Sequence, residues 1–251
     1  MDQIYIEAAE KIAGSRNCIA LTGAGISAES DIPTFRSKGG LWNSYEPAVY
    51  ASIETFRKDP SKYWSIRGEF IRGYNNYTPN EGHLALARME ESGYLKCVIT
   101  QNIDGLHRKA GSKNVYEIHG SLREIYCISC KKEYIAPDIP PGESPLCSCG
   151  GTLKPNTVLF GEQLPVDNLN EAEQQAGACD TMLLIGTSAM VYPAAYLPVM
   201  AKKNGAKIIE INIENSFEDS DVIIEEKAGT ALPELEKHIN SLYKSNRYRR
   251  Y

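Results

Sequence analysis

"LTGAGISAESDIPTFR" (residues 21–36) opens like a dinucleotide-binding turn and then departs from one. Gly23, Gly25 and Ala28 satisfy G-x-G-x-x-G/A, and the apolar run Cys18-Ile19-Ala20-Leu21 leads into them as a strand would. An ordinary Rossmann unit continues into a long helix and a second strand ending in an acid. Here the chain turns polar and runs into Pro33, Phe35 and Arg36, so residues 23–50 are expected to be loop-like.

Outward from this turn, helical and strand-like stretches alternate. Ile4, Ala8 and Ile12 share one face of a helix that Gly14 closes. Two helices broken at Asp59-Pro60 fill 52–74, and another runs over 81–92 between Asn80 and Gly93. Buried strands are expected at 17–22, 95–100, 114–119, 181–186, 207–212 and in "DVIIEE", with a short one at "TVLF". Helices are expected over "DGLHRKAG", 166–178, 193–204 and 230–244. Strands apolar on both faces, alternating with helices, mark an α/β fold with a covered parallel sheet. Two stretches break the alternation. They assign 1–36 with 80–119 and 156–251 to a large Rossmann-like domain, and 37–79 (helical) and 120–155 (cysteine-bearing) to a smaller one.

The chain has 251 residues, a net charge of −5 and a pI near 5.5. An acidic surface argues against nucleic acid as a direct partner, since phosphates need a basic face. No run approaches the ~18 apolar residues of a membrane helix, and the N-terminus lacks a signal-peptide layout. The expectation is a cytoplasmic monomer with no membrane association. Four of the seven cysteines crowd into 127–149 as Cys127-x-x-Cys130 and Cys147-x-Cys149-Gly-Gly. Two short hooks of thiolates suit one closed, structural zinc. So apolar-poor a region needs the metal's binding energy to fold. Cys18, Cys97 and Cys179 sit in or beside apolar segments and read as core filler.

Of four histidines, His119 stands out. It ends the strand "NVYEI" and precedes a glycine. Ligands of open α/β sheets bind at the carboxyl ends of strands, where an imidazole is placed to act as a general base. His238 reads as a surface residue, His83 as a cap or packing group, and His107 as structural. Gln101, Asn102 and Asp104 of "TQNID", the turn at 23–25, "GTS" at 186–188 and "IN" at 211–212 converge on the same edge, which favours a nucleotide site.

The ordered stretches "GAGISAESDIPTFR", "TQNIDGLH", "EIHGS", "CISC…CSCGG", "VLFGEQLP", "GTSAMVYPAA" and "IIEIN" resemble the sirtuins, NAD-dependent protein-lysine deacylases, over about residues 1 to 240. The resemblance implies a Rossmann-type large domain and a small domain built of a helical insert and a zinc-ribbon module, with NAD and an acyl-lysine protein or peptide in the cleft between them. It makes the stretch after the glycines a loop over NAD. Gly23, Ala24, Gly25, Ala28, Glu29, Phe35 and Arg36 then match cofactor positions there. Gln101, Asn102, Ile103 and Asp104 match the nicotinamide and ribose end; Gly186, Thr187, Ser188, Asn212, Glu214 and Ala228 match the rest of the nucleotide. The implied reaction is acyl transfer to ADP-ribose with release of nicotinamide. His119 activates a ribose hydroxyl, and Asn102 and Asp104 share the catalytic role. Val158, Phe160, Gly161, Glu162, Val191 and Tyr192 match the stretches between which substrate lies as an added strand.

Some positions depart from the family. Asp31 stands where glycine is usual and brings a negative charge towards the phosphates. Ser37 replaces a glycine, Ala189 a leucine, and Lys154, Asn156 and Thr157 replace Arg, Asp and an aliphatic. Members that remove succinyl or malonyl groups carry Tyr-x-x-Arg in the helical insert; the matching positions in "YWSIRGEF" are Arg67 and Phe70. The expected activity is deacetylation, with tolerance of longer uncharged chains. Arg67 leaves a desuccinylase or demalonylase open. Two rival readings remain. One is an NAD hydrolase or mono-ADP-ribosyltransferase using the same site; the other is a non-enzymatic nucleotide-binding module with a nucleic-acid-binding zinc ribbon.

Overall fold

In the computed structural model, which describes residues 2–34, 43–135 and 144–248 (69, 70, 72 and 244–248 by their backbone), the apolar run Cys18–Thr22 is strand β1, buried throughout. Before it lies helix α1 (Asp2–Gly14), which buries Tyr5, Ala8, Ala9 and Ile12. After it come a 3₁₀ helix (Ala24–Ser30) and α2 (Pro47–Tyr50), α3 (Ile53–Lys58) and α4 (Pro60–Arg72). Next are α5 (Glu81–Glu91), β2 (Cys97–Thr100), α6 (Leu106–Ala110) and β3 (Val115–Glu117). Strands β4 (Gly120–Cys127), β5 (Glu133–Ile135) and β6 (Leu153–Thr157) lead to α7 (Val166–Ala178) and β7 (Thr181–Ile185). The chain ends in α8 (Tyr196–Lys203), β8 (Lys207–Asn212), β9 (Val222–Glu225) and α9 (Ala228–Tyr248).

Six strands form one parallel sheet in the order β3-β2-β1-β7-β8-β9. Period-two alternation sends successive side chains into two cores. Ala20, Val98, Leu183 and Ile209 meet Ile12, Leu86, Met89, Leu232 and Leu235 on one face. Ile19, Leu21, Ile99, Leu184 and Ile208 meet Ala172, Ala176, Leu197 and Ala201 on the other. Each large aliphatic side chain so buried contributes about 1.5–3 kcal/mol. The chain fills the sheet outward from β1 in one direction, then from β7 in the other. The adjacent carboxyl ends of β1 and β7 are therefore the topological switch point, where such sheets open a crevice.

A second sheet, β5-β4-β6, is antiparallel. Its Leu122, Ile125 and Leu153 share a core with Phe56, Tyr63, Trp64, Ile71 and Tyr74 of the helical segment. Trp64 Nε1 donates to the Leu153 carbonyl at 3.1 Å, satisfying the indole's polar edge. The α/β class, both helices flanking Asp59-Pro60 and the long helices stand as read from the sequence. Three elements differ. Residues 23–50 are not wholly loop: they hold the 3₁₀ turn and α2. The strand expected at "TVLF" lies earlier, as β6; of the "TVLF" residues past it, Phe160 makes a lone bridge to Ser52. Strands β4 and β5 were not expected. In β4 the register shifts between Gly120 and Ile125, so Leu122 and Ile125 break the two-residue rhythm by which a strand is recognised.

The Sγ atoms of Cys127, Cys130, Cys147 and Cys149 lie within 4.8 Å of one another. Cys127 and Cys149 approach at 3.6 Å, Cys130 and Cys147 at 3.5 Å. Tyr134 Oη donates to Cys147 Sγ at 3.0 Å. A Cβ on Gly151 would come within 2.6 Å of Cys127 Sγ, which accounts for glycine beside the second hook. Four thiols, with no other metal-ligating side chain grouped with them among the described residues, fit a closed tetrahedral zinc site. Its binding free energy, ~10–16 kcal/mol, is of the same order as the ~5–15 kcal/mol net stability of a typical domain, so loss of the metal is enough to unfold this module.

Asn80 and His83 start α5. Asn80 Oδ1 accepts from the Gly82 and His83 amides at 3.0 and 3.4 Å, and His83 Nδ1 lies 3.4 Å from Asn80 N. Asn80 Nδ2 also donates to the Ile26 carbonyl at 2.7 Å and to Ser30 Oγ at 3.0 Å, tying the cap to the 3₁₀ turn. Among the described residues no helix is long and apolar enough to cross a membrane.

Cys149→Ser, or a strong chelator, is expected to abolish bound zinc and melt the three-stranded module while the parallel sheet keeps its helical circular dichroism; full retention of zinc in the variant would contradict the ligand set. Asn80→Ala is expected to lower urea stability by about 1–2 kcal/mol, and an unchanged midpoint would show that the cap is dispensable.

Candidate active site

Backbone contact between loops, not side chains, closes the switch point. Gly23 N donates to the Ile185 carbonyl at 3.0 Å and Gly25 N to the Gly186 carbonyl at 2.8 Å. A Cβ on Gly25 would sit 2.7 Å from Gly186 Cα, and one on Gly186 (φ +55°) would sit 2.5 Å from Ile26 N. Contacts that short exclude any side chain without backbone movement. The glycines thus interlock the turns after β1 and β7.

Beneath this seam lies a buried polar network. Asn102 and Asp104 are 5% and 4% exposed. Asn102 Nδ2 donates to the Gly23 carbonyl at 3.0 Å and to Ser27 Oγ at 3.1 Å. Ser27 Oγ donates to Asp104 Oδ2 at 2.7 Å, and Asp104 Oδ1 accepts from Leu106 N at 2.9 Å. Burial pushes the Asp104 carboxyl above its usual range, opposed by those two hydrogen bonds.

Two buried histidines floor the network, their rings 4.9 Å apart. Burial lowers His83 to about 4, and pushes His107 well below its ordinary value with help from His83. Both are neutral at physiological pH. Thr22 Oγ1 donates to Thr100 Oγ1 at 2.8 Å and lies 2.9 Å from His107 Nε2, so it accepts the proton on that nitrogen. Thr100 Oγ1 also accepts from Asn102 N at 3.0 Å. His107 Nδ1, with no partner among the described residues, is left as a bare acceptor, which costs less than a stranded N–H.

His119 stands just past β3. Its Nδ1 is 3.0 Å from the Gln101 carbonyl. A carbonyl only accepts, so Nδ1 carries the proton and Nε2 is the basic nitrogen. Burial lowers the ring's pKa, and the Gln101 bond offsets part of the shift. Gly120 (φ +78°) follows because a Cβ there would strike the Asn156 carbonyl at 2.1 Å. The His119 carbonyl accepts from Val158 N at 2.9 Å, joining the histidine to the stretch 158–162. That stretch pairs in turn with 51–53, through Phe160 N to the Ala51 carbonyl (2.8 Å) and Ile53 N to the Phe160 carbonyl (3.0 Å).

The other expected site residues fall as follows. Gln101 Nε2 donates to Thr187 Oγ1 at 2.8 Å and Asn212 Nδ2 to the Thr187 carbonyl at 2.9 Å, gathering three strand ends on Thr187. Ala24 and Gly186 are half-buried; Ala28, Ser188 and Glu214 are exposed. Glu29 is exposed too, but its carboxylate accepts from Gly229 N at 2.8 Å at the start of α9, next to buried Ala228. Ile103 packs against the aromatic core. Val158 and Val191 are half-buried, and Gly161 is exposed. Phe160 is 45% exposed and Tyr192 74%. Arg67 is buried beside Tyr63, whose hydroxyl is 3.4 Å from Thr157 Oγ1. Asp31 adopts φ 59°, the left-handed conformation that explains glycine as its usual counterpart and that aspartate tolerates. The expectations for Phe35, Arg36 and the Phe70 side chain lie outside the described residues.

Several participants were not identified from the sequence. Ser27, Thr22 and Thr100 carry no sequence signal that separates them from other small polar residues. Asn80-x-x-His83 was visible only as a helix start. Lys154, seen as a departure, is buried and pairs with Glu162 at 2.9 Å; Glu162 also accepts from Leu159 N at 2.8 Å. That carboxylate holds the shape of 157–162. His238, expected on the surface, stacks on Tyr5 with ring centroids 5.8 Å apart.

The comparisons agree with this geometry. Residues 23–193 match the model of the Sir2 family. The chain is 46% identical over 238 residues to NAD-dependent protein deacylase 2 of Pyrobaculum aerophilum, covering 92% of this chain and 94% of that one. It is 45% identical over 245 residues to the NAD-dependent protein deacetylase of Sulfolobus acidocaldarius, covering 95% and 96%. A solved Sir2 homologue–NAD complex superposes with a TM-score of 0.86 at 45% identity, covering 94% of each chain. Sir2Af2 bound to a myristoylated histone peptide superposes at 0.82 with 38% identity, covering 98% and 100%. With the family model spanning more than half of its length and such relatives along nearly all of it, the chain belongs to the Sir2 family.

Proposed function

We propose that the protein is an NAD-dependent protein-lysine deacetylase. The observation that carries this is His119: a neutral imidazole at the carboxyl edge of the sheet, its Nδ1 proton committed to the Gln101 carbonyl and its Nε2 left basic, next to buried Asn102 and Asp104. The interlocked glycines and the polar groups gathered on Thr187 fit a dinucleotide across the switch point. Bound NAD supplies a leaving nicotinamide and an ADP-ribose that receives the acyl group.

The chain's own groups divide the remaining work. His119 takes a hydroxyl proton on Nε2. Asn102 and Asp104, fixed by Ser27, orient the nicotinamide end without a mobile charge. Gln101, Thr187, Ser188, Asn212 and Glu214 are assigned to the sugars, and Gly23, Ala24, Gly25, Ala28, Glu29, Phe35, Arg36, Ile103, Gly186 and Ala228 to the rest of the nucleotide. Substrate is assigned to the exposed edges at Val158–Glu162 and Val191-Tyr192 by strand addition. The two sheets support two domains flanking the cleft. The place of β6 in the small sheet favours drawing the seam at Thr157. A cytoplasmic monomer fits a chain that concentrates its thiols in one metal-binding cluster.

Arg67 favours a second reading. It is 9% exposed, and burial pushes its guanidinium below its usual range while Tyr63 works in the opposite direction. A buried cation on the helical insert, next to Tyr63, could meet an acyl carboxylate, as in a desuccinylase. The solved relative with a myristoylated peptide supports instead a tunnel for long uncharged chains.

A panel of acylated lysine peptides with and without NAD tests the proposal. O-acyl-ADP-ribose should form only with NAD, and turnover without it would refute the assignment; free ADP-ribose alone would point to an NAD hydrolase. His119→Ala should lower kcat by about 10²–10⁴-fold with zinc retained. Because burial lowers the His119 pKa, the base form persists into mild acid. The acid limb of kcat/KM, which reports the free enzyme, should therefore have its midpoint below about 6.5, and a midpoint above it would contradict the environment described. Acetyl-lysine should exceed succinyl-lysine in kcat/KM. A succinyl preference that Arg67→Met removes would establish the second reading.

A further inference from the structure

The sequence "KIIEIN" puts a carboxylate inside an otherwise apolar interior strand. Glu210 of β8 lies between Leu184 of β7 and Ile223 of β9 and is 0% exposed. An isolated buried carboxylate is among the costliest groups a core can hold, so its partners identify what it is for. Its hydrogen-bond donors come from β8's own end and the turn that follows, and each of them is neutral. Glu210 Oε1 accepts from Ser216 N and Ser216 Oγ, both at 2.7 Å, and from Asn212 Nδ2 at 3.5 Å. Oε2 accepts from Ser220 Oγ at 2.9 Å and Phe217 N at 3.3 Å. One carboxylate thus fastens the segment 212–220 at four residues.

That segment carries Asn212 and Glu214, assigned above to the sugars and read here as the groups that hold the adenosine ribose. Asn212 Nδ2 also reaches the Thr187 carbonyl. We propose that Glu210 is a positioning residue for the dinucleotide: it sets the turn after β8 in the shape that presents Asn212 and Glu214, and so governs affinity for the adenosine half without touching the ligand. The proposal rests on the reading of those two residues as nucleotide contacts. Backbone amides of Ser216 and Phe217 account for two of the bonds, so no side-chain change in the turn replaces the anchor.

Glu210→Gln keeps size and shape but turns half of an all-acceptor group into a donor facing donors. KM for NAD and Kd for ADP-ribose should each rise about tenfold, while kcat at saturating NAD, KM for the acetyl-peptide and inhibition by nicotinamide stay within about twofold. A merely structural role would move these quantities together, with a fall in Tm and zinc content, and that pattern would overturn the proposal. Asn212→Ala, measured in parallel, separates the two failures. If it weakens ADP-ribose binding and Glu210→Gln does not, the positioning role is wrong and the site stands. If neither weakens it, the adenosine assignment fails and takes the proposal with it. Should Glu210→Gln not fold, Ser220→Ala removes one bond and should raise Kd for ADP-ribose about threefold; no change there would equally refute the anchor.

Discussion

Two polypeptide turns come closer at the switch point than side chains allow. Gly25 and Gly186 face each other across a gap in which either Cβ would lie under 3 Å from backbone. Because the turn after β1 is held on the turn after β7, the Gly23 carbonyl is fixed where Asn102 Nδ2 reaches it, and Ser27 where it bridges Asn102 and Asp104. A wider gap would break this chain of bonds at its first link. The 3₁₀ turn is part of the same arrangement. A long helix directly after Gly25 would carry Ser27 and Ser30 along a fixed axis, whereas the tighter turn lets Asn80 and Asp104 hold both hydroxyls.

The floor of the crevice gains rigidity without gaining charge. His83 and His107 are buried and neutral, and the hydrogen bonds of His107 run through hydroxyls to the Asn102 backbone. A charged imidazole there would face a desolvation cost of several kcal/mol. His119, in contrast, is only half-buried, and its single backbone bond fixes the tautomer while leaving the other nitrogen unprotonated. Burial and partner, not residue type, distinguish the three.

The small sheet is held in two ways. An aromatic core joins it to the helical segment, and the thiol cluster closes its far end. The ion pair of buried Lys154 with half-buried Glu162 stiffens the stretch that continues from β6 towards His119's neighbour Val158. Metal, core and ion pair thereby act on one hairpin whose last residues border the crevice. The stability of the small sheet and the geometry of residues 158–162 are coupled through it.

The order of the elements was legible in the chain because long apolar strands and capped helices are local patterns. Asn80, Gly93 and Asp59-Pro60 each act within a few residues, and the spacing of the four cysteines likewise specified a metal site before any fold was known. His119 stood out for the same reason, as an imidazole at a strand end before a glycine. Hidden were features set by contacts between distant segments. The irregular rhythm of β4 comes from a bulge facing β6; Lys154 is explained only by Glu162; Ser27 matters only because Asp104, far along the chain, lies 2.7 Å from it. Glu210 was readable as a strand residue, but its meaning depended on where the following turn folds back. The sequence by itself determined the strands of the parallel sheet and the long helices, the four cysteines suited to a metal and which family the chain resembles. The tertiary structure alone decided which polar residues are neutral, which hold one another and which nitrogen is free, because burial and hydrogen-bond geometry are properties of neighbours in space and leave no mark on neighbours in sequence.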